Sequence, residues 1–441
     1  MLNLKKYYRA IEDVDPIKVY GKVTQIIGLI IEGLGPGSSI GELCEIYPKG
    51  GIRPIEAEVV GFKGEKIQLM PLGDTRGLSP GSKIVAKRHK AYVRAGAGLL
   101  GRIIDGTGMP IDNKGEITEK ILYPIYGSPL NPLDRRRIER PLDLGIKAMN
   151  GILTCGQGQR LGIFAGSGVG KSVLLGMIAR NTAADVNVIA LIGERGREVK
   201  EFIEKDLKEE GLARSVVVVA TSDQPPLVRI RGAYIATAIA EYFRDRGNKV
   251  MLMMDSVTRF ATSLREVGLA IGEPPTTKGY TPSVFSTLPR LLERAGTCSG
   301  EGNITGLYTV LVEEDDLNDP IADAVRSILD GHIILSRELA AHNHYPAIDI
   351  LHSTSRTMID IVSSVHMDYA RRIREIIARY KKAEDLINIR AYKKGSNPGI
   401  DYAINMMDSI NRFLCQGMDE KMDFERSVKG LCNLFDEKVA A

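Results

Sequence analysis

The sequence predicts an α/β protein in three parts: a small N-terminal β-barrel, a core with a mainly parallel sheet, and a helical C-terminal domain. Three patterns predict this fold. Short alternating apolar runs come first, then strands that alternate with helices, and finally a region with helical periodicity. A chain of 441 residues is long enough for two or three domains. We place the domains at residues 1–91, 92–361 and 362–441.

The first domain contains short runs of alternating apolar residues, such as Val19–Val23, Ile55–Val59 and Ile67–Leu69. Glycine-rich turns separate these runs, and short strands at such spacing are typical of a closed barrel. Ahead of them, the apolar residues of Leu4–Ile11 recur at i, i+3, i+4 and i+7, which predicts a short helix with an apolar stripe. That stripe could pack on its own barrel or dock a partner, and the sequence leaves both open.

The core alternates apolar strands with helical stretches. Val186–Ile192, Ser215–Ala220 and Lys249–Met254 are predicted strands, and Lys171–Thr182 and Val199–Glu210 are predicted helices. This alternation indicates βαβ units and a parallel sheet covered by helices on both faces.

The last region is predicted to be helical and broken once. Ser396–Gly399 interrupts it. The apolar residues before this break fall on one helical face: Val365, Tyr369, Ile373, Ile376, Ile377 and Tyr380.

The composition is that of a soluble globular protein, with 44% hydrophobic and 26% charged residues. The net charge of +4 is too small to predict a nucleic-acid partner. Scattered cysteines without a C-x-x-C pair favour reduced thiols. No apolar run reaches the ~18 residues of a membrane span, and no secretory signal is evident. We therefore expect a cytoplasmic protein, associated with a membrane surface at most.

A glycine-rich loop lies between a predicted strand at Leu161–Phe164 and a predicted helix. It matches G-x-x-x-x-G-K-S/T except that Ala165 replaces the first glycine. Such loops wrap backbone N–H groups around phosphate, with the lysine on the β- and γ-phosphates and the hydroxyl on Mg²⁺. The predicted nucleotide-binding residues are Gly166, Ser167, Gly168, Val169, Gly170, Lys171, Ser172 and Val173.

Two carboxylates and one arginine complete the candidate site. Asp255 ends an apolar strand and could hold Mg²⁺ opposite Ser172. Glu194 follows another strand and could polarise the attacking water, although Glu198 is a rival from sequence alone. Arg356 could stabilise charge on the γ-phosphate, but its local spacing does not establish this role.

Together these elements resemble the catalytic subunits of the rotary ATPases and the type III export ATPases. Pro346–Ser355 matches the family signature at every position. Within the family the sequence is most similar to the flagellar protein export ATPases. The segments that carry this likeness are Asn131–Arg136, Thr221–Pro226, Gly272–Phe285, Pro320–Asp323 and Ser327–His332.

The resemblance implies a RecA-like core, ATP and Mg²⁺ as ligands, and a homohexameric ring with active sites between neighbours. It implies that Glu194 activates water, that Arg195 and Arg259 lie near the γ-phosphate, and that Arg356 reaches the neighbouring subunit's site. It also implies that Tyr345 packs on the adenine.

Further partners follow from the same resemblance. Met1–Ile11 resembles the segment that docks a stator-like regulator, and an export gate, chaperones and cargo proteins are expected contacts. The C-terminal domain here is basic, whereas the catalytic subunit of ATP synthase carries an acidic loop. Coupling to an ATP-synthase rotor is therefore disfavoured.

Three rival functions are weighed. An injectisome ATPase would share the chemistry. A non-catalytic subunit of a mixed ring would lack the water-activating carboxylate, and Glu194 disfavours it. An RNA-translocating hexamer would need basic and aromatic residues on its barrel, yet the strands offer chiefly Tyr20 and Phe62.

Overall fold

The structure is a computed structural model of the chain, and it describes residues 19–50, 53–87, 91–312, 316 and 319–436. These residues form two compact units. The first reaches Tyr92 and takes in Glu266–Pro274, and the second comprises Val93–Arg265 and continues from Pro275. The N-terminal helix predicted at Leu4–Ile11 lies outside the described residues. The boundaries at residues 91 and 361 stay predictions.

The described part of the first unit contains a closed, antiparallel β-barrel, as predicted. Its strand order is β1-β2-β5-β4-β3-β6, and β6 pairs with β1 to close the ring. Its interior is apolar and includes Val23, Ile46, Leu69 and Ile84. The strands are β1 (Tyr20–Ile27), β2 (Ile30–Leu34), β3 (Leu43–Tyr47), β4 (Ile55–Lys63), β5 (Lys66–Pro71) and β6 (Lys83–Ala86).

One glycine shows how tightly the barrel closes. A Cβ atom at Gly33 would lie 2.8 Å from the Lys22 carbonyl oxygen and would also collide with Ile84 Cδ1. Only glycine lets the backbone of β2 approach β1 so closely.

A nine-stranded sheet occupies the described part of the second unit. Its order is β17-β16-β10-β15-β13-β11-β12-β8, with β14 beside β15. Its pairs are parallel except for β16–β17 and β14–β15. A separate pair joins β7 to β9. The strands are β7 (Tyr92–Ala95), β8 (Arg102–Asp105), β9 (Ile121–Pro124), β10 (Arg160–Ala165), β11 (Val186–Ile192), β12 (Ser215–Ala220), β13 (Lys249–Asp255), β14 (Gly296–Thr297), β15 (Asn303–Leu311), β16 (Gly331–Leu335) and β17 (Ile348–Ser355).

These strands confirm the predicted parallel sheet. The central strands β11, β12 and β13 are apolar almost throughout and buried along nearly their full length. A strand covered on both faces by helices needs such a sequence, because neither face meets water.

The helices cover the sheet and form most of the chain after residue 361. They are α1 (Lys147–Ile152), α2 (Lys171–Asn181), α3 (Gly196–Glu201), α4 (Lys208–Ala213), α5 (Pro226–Arg244), α6 (Val257–Ile271), α7 (Pro282–Leu292), α8 (Pro320–Ile328), α9 (Arg337–Ala341), α10 (Met358–Ile361), α11 (Ser364–Asn388), α12 (Pro398–Leu414) and α13 (Phe424–Asp436). A π-helix at Phe202–Leu207 joins α3 to α4. Among the described helices, none has the length and apolar character to cross a bilayer.

The C-terminal pattern is confirmed with one correction. Helix α11 ends before the predicted break, and α12 begins at Pro398, where Asn397 caps it. Ile373 and Ile376 are buried as predicted, but Val365 is 60% exposed. His366 is buried there instead, and its Nε2 lies 2.7 Å from the Gly151 carbonyl oxygen. His366 shares the buried helical face with Ala370 and Ile373, at i, i+4 and i+7, and the hydrogen bond satisfies its ring nitrogen there.

Candidate active site

The candidate site lies where three parallel strands end. β10 leads into the glycine-rich loop, β11 leads to Glu194, and β13 ends on Asp255. Their carboxyl ends share one edge of the sheet, since each pairs in parallel within the same order. Open α/β sheets bind ligands at this edge.

The loop after β10 has the backbone of a phosphate cradle. Gly168 and Gly170 have φ angles of 79° and 89°, and α2 begins at the next residue, Lys171. Left-handed glycines turn successive N–H groups inward, and the helix start adds positive partial charge. Ala165, Gly166 and Val169 are buried, while Ser167, Gly168 and Ser172 are exposed. Val173 packs partly buried against the core.

Lys171 joins the two carboxylates at this edge. Its Nζ lies 2.5 Å from Asp255 Oδ1 and 3.7 Å from Glu194 Oε1. Burial alone would lower the pKa of Lys171, but the two carboxylates outweigh burial and raise it. The ammonium group therefore stays charged and holds the ends of three strands together.

Glu194 lies in an unfavourable environment for a carboxylate. Burial, followed by repulsion from Asp255, raises its pKa to about 7 against the opposing attraction of Lys171. Its Oε1 is buried and has no hydrogen-bond partner among the described residues. A buried oxygen without a hydrogen bond, beside a phosphate cradle, is free to accept a hydrogen bond from a ligand or water.

The structure distinguishes between the two candidate carboxylates, Glu194 and Glu198. Arg195 is 78% exposed and lies 3.7 Å from Glu198 Oε1, which belongs to a side chain that is 41% exposed. Only Glu194 reaches Lys171, with a side-chain exposure of 15%. The geometry therefore favours Glu194, and Arg195 is not brought into the cluster.

The donor set suits Mg²⁺ bound together with nucleotide. The described residues contain no cluster of three or more histidine, cysteine, aspartate or glutamate ligands. Mg²⁺ in nucleotide enzymes needs no such cage, since one or two protein oxygens combine with phosphate and water. Asp255 and the exposed Ser172 hydroxyl fit that mode, and Glu194 Oε1 is a further buried oxygen without a hydrogen bond.

Two further predicted residues lie beside the site. A Cβ built on Gly170 would lie 3.3 Å from Tyr345 Cε1, so the Tyr345 ring packs against the phosphate loop. Tyr345 as a whole is 40% exposed. A Cβ built on Gly193 would lie 2.7 Å from Arg259 Cβ, so Arg259 packs beside the residue before Glu194.

Arg356 is not brought to the site of its own chain. β17 is antiparallel to β16, with Leu335 opposite Ile348 at one end and Gly331 opposite Ser355 at the other. Tyr345 therefore precedes β17 at the phosphate edge, whereas Arg356 follows it at the opposite edge. The length of β10 separates these edges by roughly 17 Å at the usual rise per residue.

Sequence reasoning missed two residues that support the site. Thr309 donates a 2.6 Å hydrogen bond to Asp255 Oδ1 from the neighbouring strand β15. Gln416 donates from its backbone N–H to the Tyr345 carbonyl oxygen at 2.9 Å. Thr309 sits inside an apolar strand and Gln416 is 71 positions from Tyr345 along the chain, so no local pattern marks either one.

Stability of the nucleotide-free protein should depend on pH through Glu194. Folding raises its pKa to about 7. The folded state therefore holds the proton more tightly than the unfolded state, and stability falls as pH rises from the unfolded pKa through about 7. We expect Glu194→Gln to raise the unfolding temperature by several degrees at about pH 8, and by less at about pH 5.5.

The control is Glu198→Gln, which removes a half-exposed carboxylate from helix α3. Because Glu198 adds to the raised pKa of Glu194, this variant should change the unfolding temperature in the same direction but by less. Differential scanning fluorimetry across the pH range checks the expectation. If the unfolding temperature of Glu194→Gln changes with pH in the same way as that of wild type, the pKa of Glu194 is not raised.

Comparison with known proteins gives three family matches along the chain. Residues 23–87 match the β-barrel domain of the ATP synthase alpha/beta family, and residues 145–355 match its nucleotide-binding domain. Residues 362–433 match the T3SS EscN ATPase C-terminal domain. The matches follow the same order as the barrel, sheet and helices of the structure.

Similar whole proteins come from two kinds of system. The flagellum-specific ATP synthase of Bacillus subtilis strain 168 is 56% identical, over 96% of this chain and 97% of the relative. The type 3 secretion system ATPase of Xanthomonas euvesicatoria is 50% identical, over 95% and 94% of the two chains.

A solved structure matches almost end to end. The assembled ATPase EscN from the type III secretion system of enteropathogenic E. coli has a TM-score of 0.88 at 46% identity, over 94% of this chain and 99% of its own. EscN is also solved in complex with its central stalk EscO, with a TM-score of 0.87. The chain therefore belongs to the ATP synthase alpha/beta family, among the ATPases that include flagellum-specific ATP synthases and type III secretion ATPases.

Proposed function

We propose that this chain binds Mg-ATP at Gly166–Ser172 and hydrolyses it with Glu194 as the residue that activates water. The observation that carries the proposal is the position of Lys171 Nζ, 2.5 Å from Asp255 and 3.7 Å from Glu194. The ammonium group of Lys171 therefore lies at one phosphate cradle together with two carboxylates. Asp255 is the one that would hold the metal, and Glu194 is the one that would activate water.

Each residue has a separate task in this proposal. Lys171 neutralises oxygens of the β- and γ-phosphates, and the loop N–H groups orient them. Ser172 and Asp255 would hold Mg²⁺, which supplies charge neutralisation when bound. Glu194 accepts the proton of the attacking water, for which a pKa near the working pH is favourable. Tyr345 packs against the adenine, and Arg259 lies where it can approach the γ-phosphate.

The complete site forms between subunits of a homohexameric ring. In one chain Arg356 lies at the far edge of the sheet, so it cannot serve the cradle of its own chain. An arginine supplied by a neighbour is a known arrangement for stabilising a phosphoryl transition state. The assembled state of the relative EscN supports self-association.

The ring energises export of flagellar proteins through a type III apparatus. The 56% identity to a flagellum-specific relative supports this role. Expected partners are the export gate, chaperones, cargo and a stator-like regulator on Met1–Ile11, at the cytoplasmic side of the membrane. We propose no nucleic-acid partner.

The match of residues 362–433 to the EscN C-terminal domain favours an injectisome role as the second candidate. Loss of motility on deletion of the gene, restored by the wild-type chain, would support the flagellar role over this one.

Glu194→Gln should bind Mg-ATP with nearly unchanged affinity but lose turnover. The amide keeps the size of the side chain and cannot accept the proton. We expect kcat to fall by at least ~10²-fold, the lower range for general-base catalysis. Fluorescent-nucleotide titration and phosphate release measure the two quantities. Hydrolysis at the wild-type rate would remove Glu194 from the mechanism, and Glu198→Gln is the matched control.

Arg356→Ala should fold and bind nucleotide as wild type does, yet lose the activity that depends on assembly. Wild-type specific activity should rise steeply with protein concentration, since sites form only between subunits. The variant should stay at least ~10³-fold lower at every concentration, given the usual contribution of an arginine finger. If the specific activity of the variant rises with protein concentration as that of wild type does, a residue other than Arg356 is the arginine finger.

A further inference from the structure

A partly buried ion pair lies at the sheet edge opposite the phosphate cradle. Arg160, the first residue of β10, donates from Nε to Asp330 Oδ2 and from Nη2 to Asp330 Oδ1, each at 3.0 Å. The backbone N–H of Arg160 also donates to Oδ2 at 3.0 Å. The Arg160 side chain is 14% exposed and the Asp330 side chain 26%. This bidentate, charge-assisted contact fixes Asp330 against the strand.

Asp330 in turn holds the backbone of Arg356. The carbonyl oxygen of Asp330 accepts from the Arg356 N–H at 3.0 Å. The same oxygen accepts from Gln159 Nε2 at 3.1 Å, and Gln159 Nε2 also donates to Ser355 Oγ at 3.0 Å. Ser355 Oγ donates to the Thr154 carbonyl oxygen at 2.7 Å. The two residues at the end of β17 are thereby fastened to the beginning of β10.

The Arg356 side chain itself is free within the described residues. It is exposed, and no hydrogen bond or ion pair of its guanidinium occurs in the described part of the chain. Its reach is therefore set by its backbone anchor. A guanidinium that acts on a neighbour's phosphate must be held to within a fraction of an ångström for full effect.

We propose that Asp330, held by Arg160, is the positioning residue for Arg356 and acts on the active site of the adjacent subunit. This inference rests on the proposed role of Arg356 as a finger supplied in trans. Asp330 does not touch nucleotide. Its carboxylate fixes Asp330 against Arg160, and the Asp330 carbonyl oxygen holds the N–H of Arg356. Loss of the carboxylate therefore lowers turnover at the neighbour's cradle and leaves nucleotide binding by its own chain intact.

Asp330→Asn tests the proposal with little change of shape. The amide cannot accept both hydrogen bonds from the Arg160 guanidinium. We expect kcat to fall roughly tenfold or more, a part of the ~10³–10⁵ that a finger contributes. Nucleotide affinity and KM should stay within about threefold of wild type, since the loss concerns the transition state.

A double-mutant cycle separates positioning from general stability. Combined with Arg356→Ala, Asp330→Asn should lower kcat no further, because residues that act as a unit are not additive. A further fall of similar size in the double variant would overturn the proposal.

The chain offers a matched control in Asp112. Its carboxylate accepts from Arg102 Nε at 2.7 Å and Nη2 at 3.0 Å, and from the backbone N–H of Ile103. This pair has the same form on the same sheet but lies at the β8 edge. Asp112→Asn should lower the unfolding temperature and leave kcat near wild type. An equal loss of kcat in both variants would reduce the Asp330 effect to destabilisation.

Mixed rings test whether Asp330 acts across the interface. Asp330→Asn subunits keep an intact cradle, and Glu194→Gln subunits keep an intact finger. A mixture of the two should exceed the mean activity of the separate variants, as should a mixture of Arg356→Ala with Glu194→Gln. If only the Arg356→Ala mixture gains, the role of Asp330 is wrong. If neither gains, the shared site itself is wrong.

Discussion

The contact on which the site depends is the Lys171 ammonium group between two carboxylates. Asp255 ends one strand and Glu194 follows another, and without a cation between them their charges would repel at a buried edge of the sheet. Lys171 offsets only part of this cost, because burial and the charge of Asp255 together still raise the pKa of Glu194. The nucleotide-free site therefore favours a further cation, and the Mg²⁺ that accompanies ATP would supply one.

The fold follows largely from features that are visible in the sequence. Strands buried on both faces must be apolar throughout, so β11, β12 and β13 stand out by composition. Asp255 and Glu194 were also predictable, because a polar residue directly after such a strand falls at the carboxyl edge. The barrel was predictable from alternation and glycine spacing, although Val19 is 48% exposed and contributes nothing to its core.

Other features could not be predicted, because they depend on contacts between distant parts of the chain. Thr309 looks like any β-branched strand residue until β15 is placed beside β13. A histidine could be expected inside the helical region only once the Gly151 carbonyl oxygen is placed beside it, where it satisfies the buried His366 ring nitrogen. The position of Arg356 relative to the phosphate cradle could not be predicted either. Its sequence context marks it as important, but only the antiparallel direction of β17 shows that it points away from its own cradle.

Strand β10 links the two halves of this arrangement. It carries the phosphate loop at one end and the Asp330 anchor at the other, so one short strand supports both the phosphate loop and the backbone of Arg356. The closure of the barrel has a separate consequence. In the described residues, pairing of β1 with β6 leaves no unpaired strand edge in that sheet. Within these residues the barrel offers no strand edge to which another chain could add, which removes one route to open-ended, fibre-like association.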